Sequence, residues 1–290
     1  MFKKTAKIGS ALVLTASLLS PSAFAASSSE EASKLTMSQT TYNKKLQEYN
    51  SKEEVKFAKQ LQKLSQKEIK KHHTLFQKKI EKFNDDEYNR FIYNYVKDNH
   101  LTVGEMTNSL AEVGIEFNKK PKPLYTIDGL SPSDMTLDVY SSKRWDQSYY
   151  HLTSSWSSYS ESSSATIDLV SVEWDPDDGY YYSSSVGDSS IVTKRDGSQR
   201  SNGIYLFNVE DDNYDFDSYA TVQVVPSRSG WLDYGSKYTH TYTTYSTSST
   251  GQAYFSFDST GPSGGFSYTV SQTSKVSDWS RYDDNAVYID

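Results

Sequence analysis

Cysteine is absent from this 290-residue chain, which excludes disulfide bonds, thiolate metal sites, iron–sulfur ligation and a cysteine nucleophile. An excess of basic residues is absent too. The formal net charge is −7, whereas nucleic-acid binding needs a basic surface. Beyond the N-terminus, no stretch approaches the roughly 20 consecutive apolar residues that cross a bilayer. The composition therefore argues against nucleic acid as a partner and predicts no membrane-spanning helix.

Motifs of the common catalytic sites are missing as well. The chain has five histidines, and none lies in H-E-x-x-H or another zinc spacing. There is no P-loop, no G-x-G-x-x-G and no G-x-S-x-G elbow. His73 lies on an apolar helical stripe, which predicts a partly buried structural histidine. No catalytic residue and no bound organic cofactor is predicted, and a non-enzymatic protein is favoured over an enzyme.

The N-terminus has the pattern of a secretory signal peptide. Three lysines precede an uncharged apolar run over residues 8–19, and Ala-Phe-Ala at 23–25 is a small-x-small cleavage site. Residues 1–25 are therefore predicted to be removed on export, which predicts a secreted, extracellular protein. Residues 26–39 are rich in Ser, Glu and Ala without any period and predict a disordered leader. A secreted chain of this size without cysteine is typical of bacteria.

The rest of the chain falls into two halves of opposite character. Residues 40–118 are rich in Lys, Glu, Gln and Leu with helical spacing, whereas residues 124–290 are rich in Ser, Thr, Tyr and Asp and alternate with period two. Residues 26–123 carry 18 basic and 14 acidic side chains, and residues 124–290 carry 9 and 23. The Lys- and Pro-rich stretch 119–123 cannot continue a helix and predicts an extended linker between two domains.

Capping signals divide the helical half. Apolar residues between positions 69 and 83 recur at spacings of four and three, which predicts a single helical face there. The pattern predicts three or four short helices that bury their narrow apolar faces against each other or against the second half. The N-cap and capping-box candidates are Ser65 with Glu68, Asn84 or Asp85, and Thr102 with Glu105, and Gly114 is the candidate glycine after the last helix.

Alternation in the second half predicts about eight to ten strands. Residues 204–209 are apolar on both faces apart from Asn208 and predict a central strand, and residues 253–257 and 266–270 predict a hairpin. The predicted fold class is α+β, with a small N-terminal helical region followed by an antiparallel all-β sandwich or barrel. The further strand candidates are 135–140, 147–152, 165–174, 179–184, 190–194, 220–224 and 237–245.

Two acidic segments, Glu173–Gly179 and Glu210–Asp217, are the candidate metal sites. Calcium binds six to eight oxygens, often from closely spaced carboxylates. The second segment is not an EF-hand, because it lacks the required glycine and final glutamate. Solvated turns are the alternative, since Asp, Asn, Gly and Pro favour turns. The candidate calcium ligands are Asp175, Asp177, Asp178, Asp211, Asp212 and Asp215.

The aromatic content of the second half predicts a binding surface, since all five Trp and 19 of the 24 Tyr lie there. The favoured function is that of a secreted binding or assembly protein whose aromatic and polar β surface contacts a glycan, a cell surface or a membrane. One alternative is a β-pore-forming or membrane-damaging protein, because Asp258 is the one formal charge in residues 238–274. The other is a glycan-active hydrolase, because carboxylates and aromatic rings are both present.

The opposite charges of the two halves predict that they associate. Residues 26–123 have a net charge of +4, and residues 124–290 have one of −14. We expect the helical half to dock on the β domain and to mask part of it, as a cap or a pro-segment. An independent helical domain on a tether is the alternative.

Overall fold

The structure, a computed structural model, describes residues 39–97, 99–121, 135–158, 168–195, 200–210, 217–242 and 277–290, with four two-residue strands between 248 and 271. These residues belong to one compact unit, Met37–Asp290. The predicted signal peptide and the leader up to residue 38 lie outside the described residues. So does the predicted hairpin, apart from Phe257 and Val270.

Capping boxes begin three of the helices: those at Ser65 and Thr102 were predicted, and at the remaining helix Asn84, one of two predicted N-cap candidates, forms the box. The side chains of Ser65, Asn84 and Thr102 each accept a hydrogen bond from the backbone N–H three residues on, and the glutamate there bonds back. Gly114 follows the last helix with φ +79°, a conformation that favours glycine. No helix in the described part of the chain is long and apolar enough to span a bilayer. The helices are α1 (Gln39–Ser51), α2 (Glu53–Leu61), α3 (Gln66–Lys71), α4 (His73–Ile80), α5 (Asp85–Val96) and α6 (Val103–Glu112).

The apolar face predicted for residues 69–83 is buried at Ile69, Phe76, Ile80 and Phe83, but two helices form it, because the chain breaks at His72, which ends α3 and begins α4. His73, the first residue of α4, is exposed, and the prediction of a partly buried histidine is wrong. Ile69 and Ile80 stay fully buried on either side of the break. The described residues form six helices where three or four were predicted, partly because of this break.

Two five-stranded antiparallel sheets form the β half, which confirms the α+β prediction with a β-sandwich. Sheet A has the strand order β1-β2-β3-β8-β5, and sheet B has the order β14-β9-β4-β7-β6. Four two-residue strands form two further pairs, β10 (Ser248–Ser249) with β13 (Val270–Ser271) and β11 (Phe257–Asp258) with β12 (Gly261–Pro262). The longer strands are β1 (Ile115–Lys119), β2 (Met135–Arg144), β3 (Tyr150–Ser158), β4 (Asp168–Trp174), β5 (Gly179–Val186), β6 (Val192–Lys194), β7 (Ile204–Val209), β8 (Ser218–Pro226), β9 (Gly230–Tyr242) and β14 (Ser277–Ile289).

The main core lies between the two sheets, where alternate residues of each strand face the partner sheet. Its largest fully buried side chains include Trp156 of sheet A and Trp174 of sheet B. The hydroxyls of Ser154 and Ser236 hydrogen-bond across the sheets at 2.7 Å. A second apolar cluster lies between the helices and the outer face of sheet A, with Tyr140 of β2 as part of it. The molecule is thus layered as helices, sheet A and sheet B.

The helical half docks on sheet A through specific contacts. Strand β1 leaves α6 and pairs with β2 over five residues, so the helical half contributes an edge strand. The Arg144 guanidinium donates to the Phe83 carbonyl at 2.7 Å, just beyond the end of α4. The rings of Tyr93 and Tyr219 lie 4.7 Å apart, and Lys97 forms an ion pair with Asp217. Docking is therefore confirmed for the described helices, whereas a masking or pro-segment role stays a prediction.

The predicted linker begins inside the fold. Lys119 is the last residue of β1, and its ammonium lies 3.1 Å from the Asp138 carboxylate. Lys120 forms an ion pair with Asp284 of β14. Lys122 and Pro123 lie outside the described residues.

Candidate functional site

The outer face of sheet B carries two exposed aromatic rings side by side. Leu232 and Tyr234 of β9 point into the core, so Trp231 points outward. Trp231 is paired in register with Tyr288 of β14, and both lie on the same face. Their side chains are 59% and 54% exposed, and their ring centroids are 5.4 Å apart in an edge-to-face arrangement. Large exposed aromatic groups of this kind mark interaction sites.

A third ring, that of Tyr282, lies further along the same face of β14. A side chain on Gly235 of β9 would collide with it, because an added Cβ would be 2.6 Å from the Tyr282 hydroxyl oxygen. The glycine therefore allows the phenol to lie across the sheet. Six residues separate Tyr282 from Tyr288, which corresponds to about 20 Å along a strand. We call Trp231, Tyr282 and Tyr288 the aromatic face.

A buried carboxyl lies beside Gly235, on the same side of sheet B as the aromatic face. Glu173 of β4 is paired in register with Gly235 and is fully buried. The Ser171 hydroxyl donates to its Oε1, and among the described residues no group donates to Oε2. Burial raises the pKa of Glu173 well above its usual range. The carboxyl therefore keeps its proton at pH values where an exposed glutamate is ionised, and it adds little negative charge to the face.

A second buried acid lies at one end of the core. Asp168 of β4 accepts hydrogen bonds from the Tyr238 hydroxyl at 2.5 Å and from Nδ1 of His240 at 2.9 Å. All three side chains are buried. The cluster joins β4 to β9 inside the sandwich. Tyr238 and His240 belong to the segment 238–274 that the pore-forming alternative invoked, and most of that segment lies outside the described residues.

The first predicted calcium segment forms the turn between β4 and β5. The Asp175 carboxylate accepts a hydrogen bond from the Asp177 N–H at 2.8 Å, which is an Asx turn. Asp178 is buried and forms an ion pair with Arg228, so its charge is balanced. The Ser227 N–H donates to the Asp178 carbonyl at 2.8 Å and ties this turn to the one between β8 and β9.

Calcium binding stays a prediction. Across the residues whose placement the structure describes, no three His, Asp or Glu side chains are arranged to hold a metal ion. Asp175, Asp177 and Asp178 share one turn, whereas Asp211, Asp212 and Asp215 lie outside the described residues.

Sequence reasoning missed the residues that the fold makes unusual. Trp231 and Tyr288 are 57 positions apart, and only the β9–β14 pairing brings them together. Glu173 was noted as part of an acidic segment, yet it belongs to β4 and is buried on the outer face of sheet B, so it is not a member of the turn. Asp168 precedes an apolar run without any local signal of its partners.

Comparisons with known proteins give distant similarities. No protein-family model and no curated protein matches the chain. The C-terminal domain of the Streptococcus agalactiae AgI/II polypeptide BspA is similar at 7% identity and TM-score 0.23, covering 36% of this chain and 53% of that one. A cohesin module from a Clostridium perfringens family 33 glycoside hydrolase is similar at 9% identity and TM-score 0.25, covering 51% and 93%.

A third solved structure concerns pH-induced modulation of Streptococcus parasanguinis adhesion by Fap1 fimbriae. It is similar at 10% identity and TM-score 0.28, covering 52% of this chain and 79% of that one. The chain spans about half of the length of the BspA domain structures that it matches. TM-scores this low carry no inference about function.

Proposed function

We propose that this chain is an exported, non-enzymatic binding protein that holds an extracellular glycan on its aromatic face. The observation that carries the proposal is the exposed pair of Trp231 and Tyr288 on neighbouring strands. The signal-peptide pattern at residues 1–25 supports export. The acidic character of residues 124–290 favours a neutral ligand over a nucleic acid or another polyanion.

Aromatic rings suit sugars for a physical reason. The face of an aromatic ring is electronegative, so the weakly positive C–H groups on one side of a pyranose pack against it. The aromatic face lies on β9 and β14, which are paired in register over 13 residues. The backbone is therefore fixed before binding, and little conformational entropy is lost when a ligand is bound. Trp and Tyr are also the residues that most often dominate binding energy at surfaces.

Strand addition at the β14 edge is disfavoured as a binding mode. The Asn118 amide donates to the Ala286 carbonyl at 2.5 Å, and the Asp283 carboxylate accepts from the Val139 N–H at 3.0 Å. The first contact occupies a backbone carbonyl of β14, and the second holds the strand against sheet A, so both lower the capacity of β14 to pair with another chain. Binding is therefore assigned to the face of sheet B and not to this edge.

The test is co-sedimentation of the mature protein with insoluble polysaccharides, namely cellulose, chitin and bacterial cell-wall sacculi, together with affinity electrophoresis in soluble glucans, mannans and xylans. We expect retention by at least one polymer and at least tenfold weaker binding by W231A and Y288A, which corresponds to about 1.4 kcal/mol for each ring. Y180A is the matched control, because Tyr180 is 57% exposed on a strand of the other sheet.

Four outcomes would count against the proposal. Retention by none of the polymers would overturn glycan binding, and equal retention of W231A and wild type would overturn the aromatic face as its site. Release of reducing sugar from a retained polymer would favour the hydrolase alternative. Release of dye from liposomes would favour the membrane-damaging alternative.

A further inference from the structure

A pocket of about 200 Å³ lies between the C-terminal end of α5 and the outer face of sheet A. It is on the opposite side of the sandwich from the aromatic face. Its walls come from α5, from β2, from β3 and from the residue that precedes β8. The polar side chains in its walls are Lys97, Thr136, Asp138, Ser155, Ser157 and Asp217, and Tyr93, Val96 and Trp156 complete the lining.

The pocket exists because small side chains meet the end of a helix. Strand alternation sends Leu137 of β2 into the core, which leaves Thr136 and Asp138 on the outer face. Ser155 and Ser157 occupy the equivalent outward positions of β3, in register with Asp138 and Thr136. Helix α5 ends at Val96, and the next residue has an extended backbone with ψ 134°. The helix therefore leaves Thr136 and Ser157 accessible, whereas Ser155 is buried at the base of the pocket.

The charges of the pocket favour a neutral ligand. Asp138 is paired with Lys119 at 3.1 Å, and Asp217 is paired with Lys97, so each carboxylate already has a cation beside it. A cationic ligand would gain little from these balanced pairs, and an anion would be repelled by both carboxylates and by the negative end of the α5 dipole. A neutral ligand with several hydroxyl groups meets neither penalty.

The hydrogen-bonding groups suit a polyhydroxylated molecule. A carboxylate has about four acceptor sites and can keep its lysine while accepting an O–H from a ligand. Thr136 and Ser157 hydrogen-bond to each other at 2.6 Å, which leaves one hydroxyl proton and several lone pairs for a ligand. Tyr93 and Val96 add an apolar side. The volume is below the roughly 300–1,000 Å³ of sites for drug-sized molecules, so one sugar ring is the appropriate size.

We propose that this pocket binds a single neutral sugar residue, either as a free monosaccharide or as the end of a chain. The site is independent of the aromatic face, because it is built from different residues on a different sheet. Its ligand touches both α5 and sheet A, so binding holds the helical half and the β half together.

Isothermal titration of the mature protein with glucose, galactose, mannose, N-acetylglucosamine and their methyl glycosides tests the proposal, with melting curves as a second readout. We expect one-to-one binding of at least one sugar and a rise in melting temperature by mass action. S157L fills the pocket and is expected to abolish binding. T193L is its control, because Thr193 is an exposed strand residue of sheet B.

D138N is a second variant in case S157L does not fold, and we expect at least tenfold weaker binding, since an amide is a poorer acceptor than a carboxylate. W231A is expected to keep the full affinity, which separates this site from the aromatic face. The proposal is overturned if none of the sugars binds, or if S157L and D138N both bind as wild type does. Tighter binding of citrate or of arginine than of every sugar would overturn it too.

Discussion

At the scale of a residue, two buried tryptophans allow the contribution of one hydrogen bond to the free energy of unfolding to be measured. Trp156 and Trp174 are both almost completely buried in the sandwich core. The Trp174 Nε1–H donates to the Gly179 carbonyl at 2.9 Å. Gly179 is paired in register with Pro226, which has no N–H to offer that carbonyl. The Trp156 Nε1–H makes no hydrogen bond among the described residues.

Replacing each tryptophan by phenylalanine separates ring packing from hydrogen bonding. Both substitutions remove similar apolar area, but W174F also removes the Trp174 donor from the buried Gly179 carbonyl, whereas W156F removes an N–H that has no partner in the described part of the chain. We therefore expect W174F to lower the free energy of unfolding by about 1–3 kcal/mol more than W156F does. Urea denaturation of both variants measures the difference. Equal losses would mean that the Trp174 hydrogen bond contributes nothing net.

At the scale of elements, the contact between α5 and sheet A is built around a neutral histidine. His151 of β3 is fully buried, and its ring lies 4.7 Å from that of Tyr88 on α5. Its Nε2 lies 3.0 Å from the Gln147 side-chain oxygen. Burial, with a smaller contribution from the Arg144 charge, lowers the pKa of His151 to about 3. The packed elements thus depend on an uncharged imidazole.

This histidine makes the stability of the helix–sheet contact depend on pH. In the unfolded chain a histidine has a pKa of about 6.5, so between that pH and about pH 3 the unfolded state binds a proton that the folded state does not. The contribution of the neutral His151 to the free energy of unfolding is therefore complete above about pH 6.5. It falls as the pH is lowered towards 3, eventually by several kcal/mol. We expect H151Q to lose less stability than wild type between pH 7 and pH 4.

Urea denaturation at a series of pH values measures this slope. H73Q is the control, because His73 is exposed on the surface of α4, and it is expected to keep the wild-type slope. If H151Q and wild type lose equal stability over the same pH range, proton uptake by His151 does not contribute to the pH dependence of stability.

At the scale of the whole molecule, the two halves share one sheet. Strand β1 belongs to the helical half by sequence, yet it is hydrogen-bonded to β2 from Ile115 to Lys119. Fully buried tyrosines of sheet A, Tyr140 and Tyr219, lie under the helices. Removal of the helical half would therefore expose a sheet edge and apolar rings, in addition to breaking the Lys97–Asp217 ion pair.

Cleavage between the halves is therefore expected to leave them associated. With a specific protease site introduced between residues 122 and 134, we expect the cut fragments to co-elute in gel filtration. Higher salt should weaken the association only partly, because salt screens ion pairs but not apolar contacts or the β1–β2 ladder. The uncut protein is the control. Separation into a folded β fragment and free helices in physiological salt would instead support the pro-segment hypothesis.

The sequence by itself determined the features that depend on local chemistry. Capping boxes at Ser65 and Thr102 are formed within four residues, so their side-chain spacing alone predicts them, and it also predicts Asn84 as one of two N-cap candidates. The strand at residues 204–209 was predicted with its observed bounds because it is apolar on both faces. The order of the fold, with helices before an antiparallel sandwich, follows in the same way from the composition and from the spacing of the apolar residues.

Only the tertiary structure decided which distant residues meet. Strand β14 was missed because its sequence over 277–289 is mostly polar and has no clear strand pattern. The strand is formed by its 13-residue pairing with β9. That pairing places Trp231 beside Tyr288, and the β4–β9 pairing places Glu173 beside Gly235. Register between strands depends on the packing of the whole sandwich, whereas a local pattern fixes only the face on which each side chain lies.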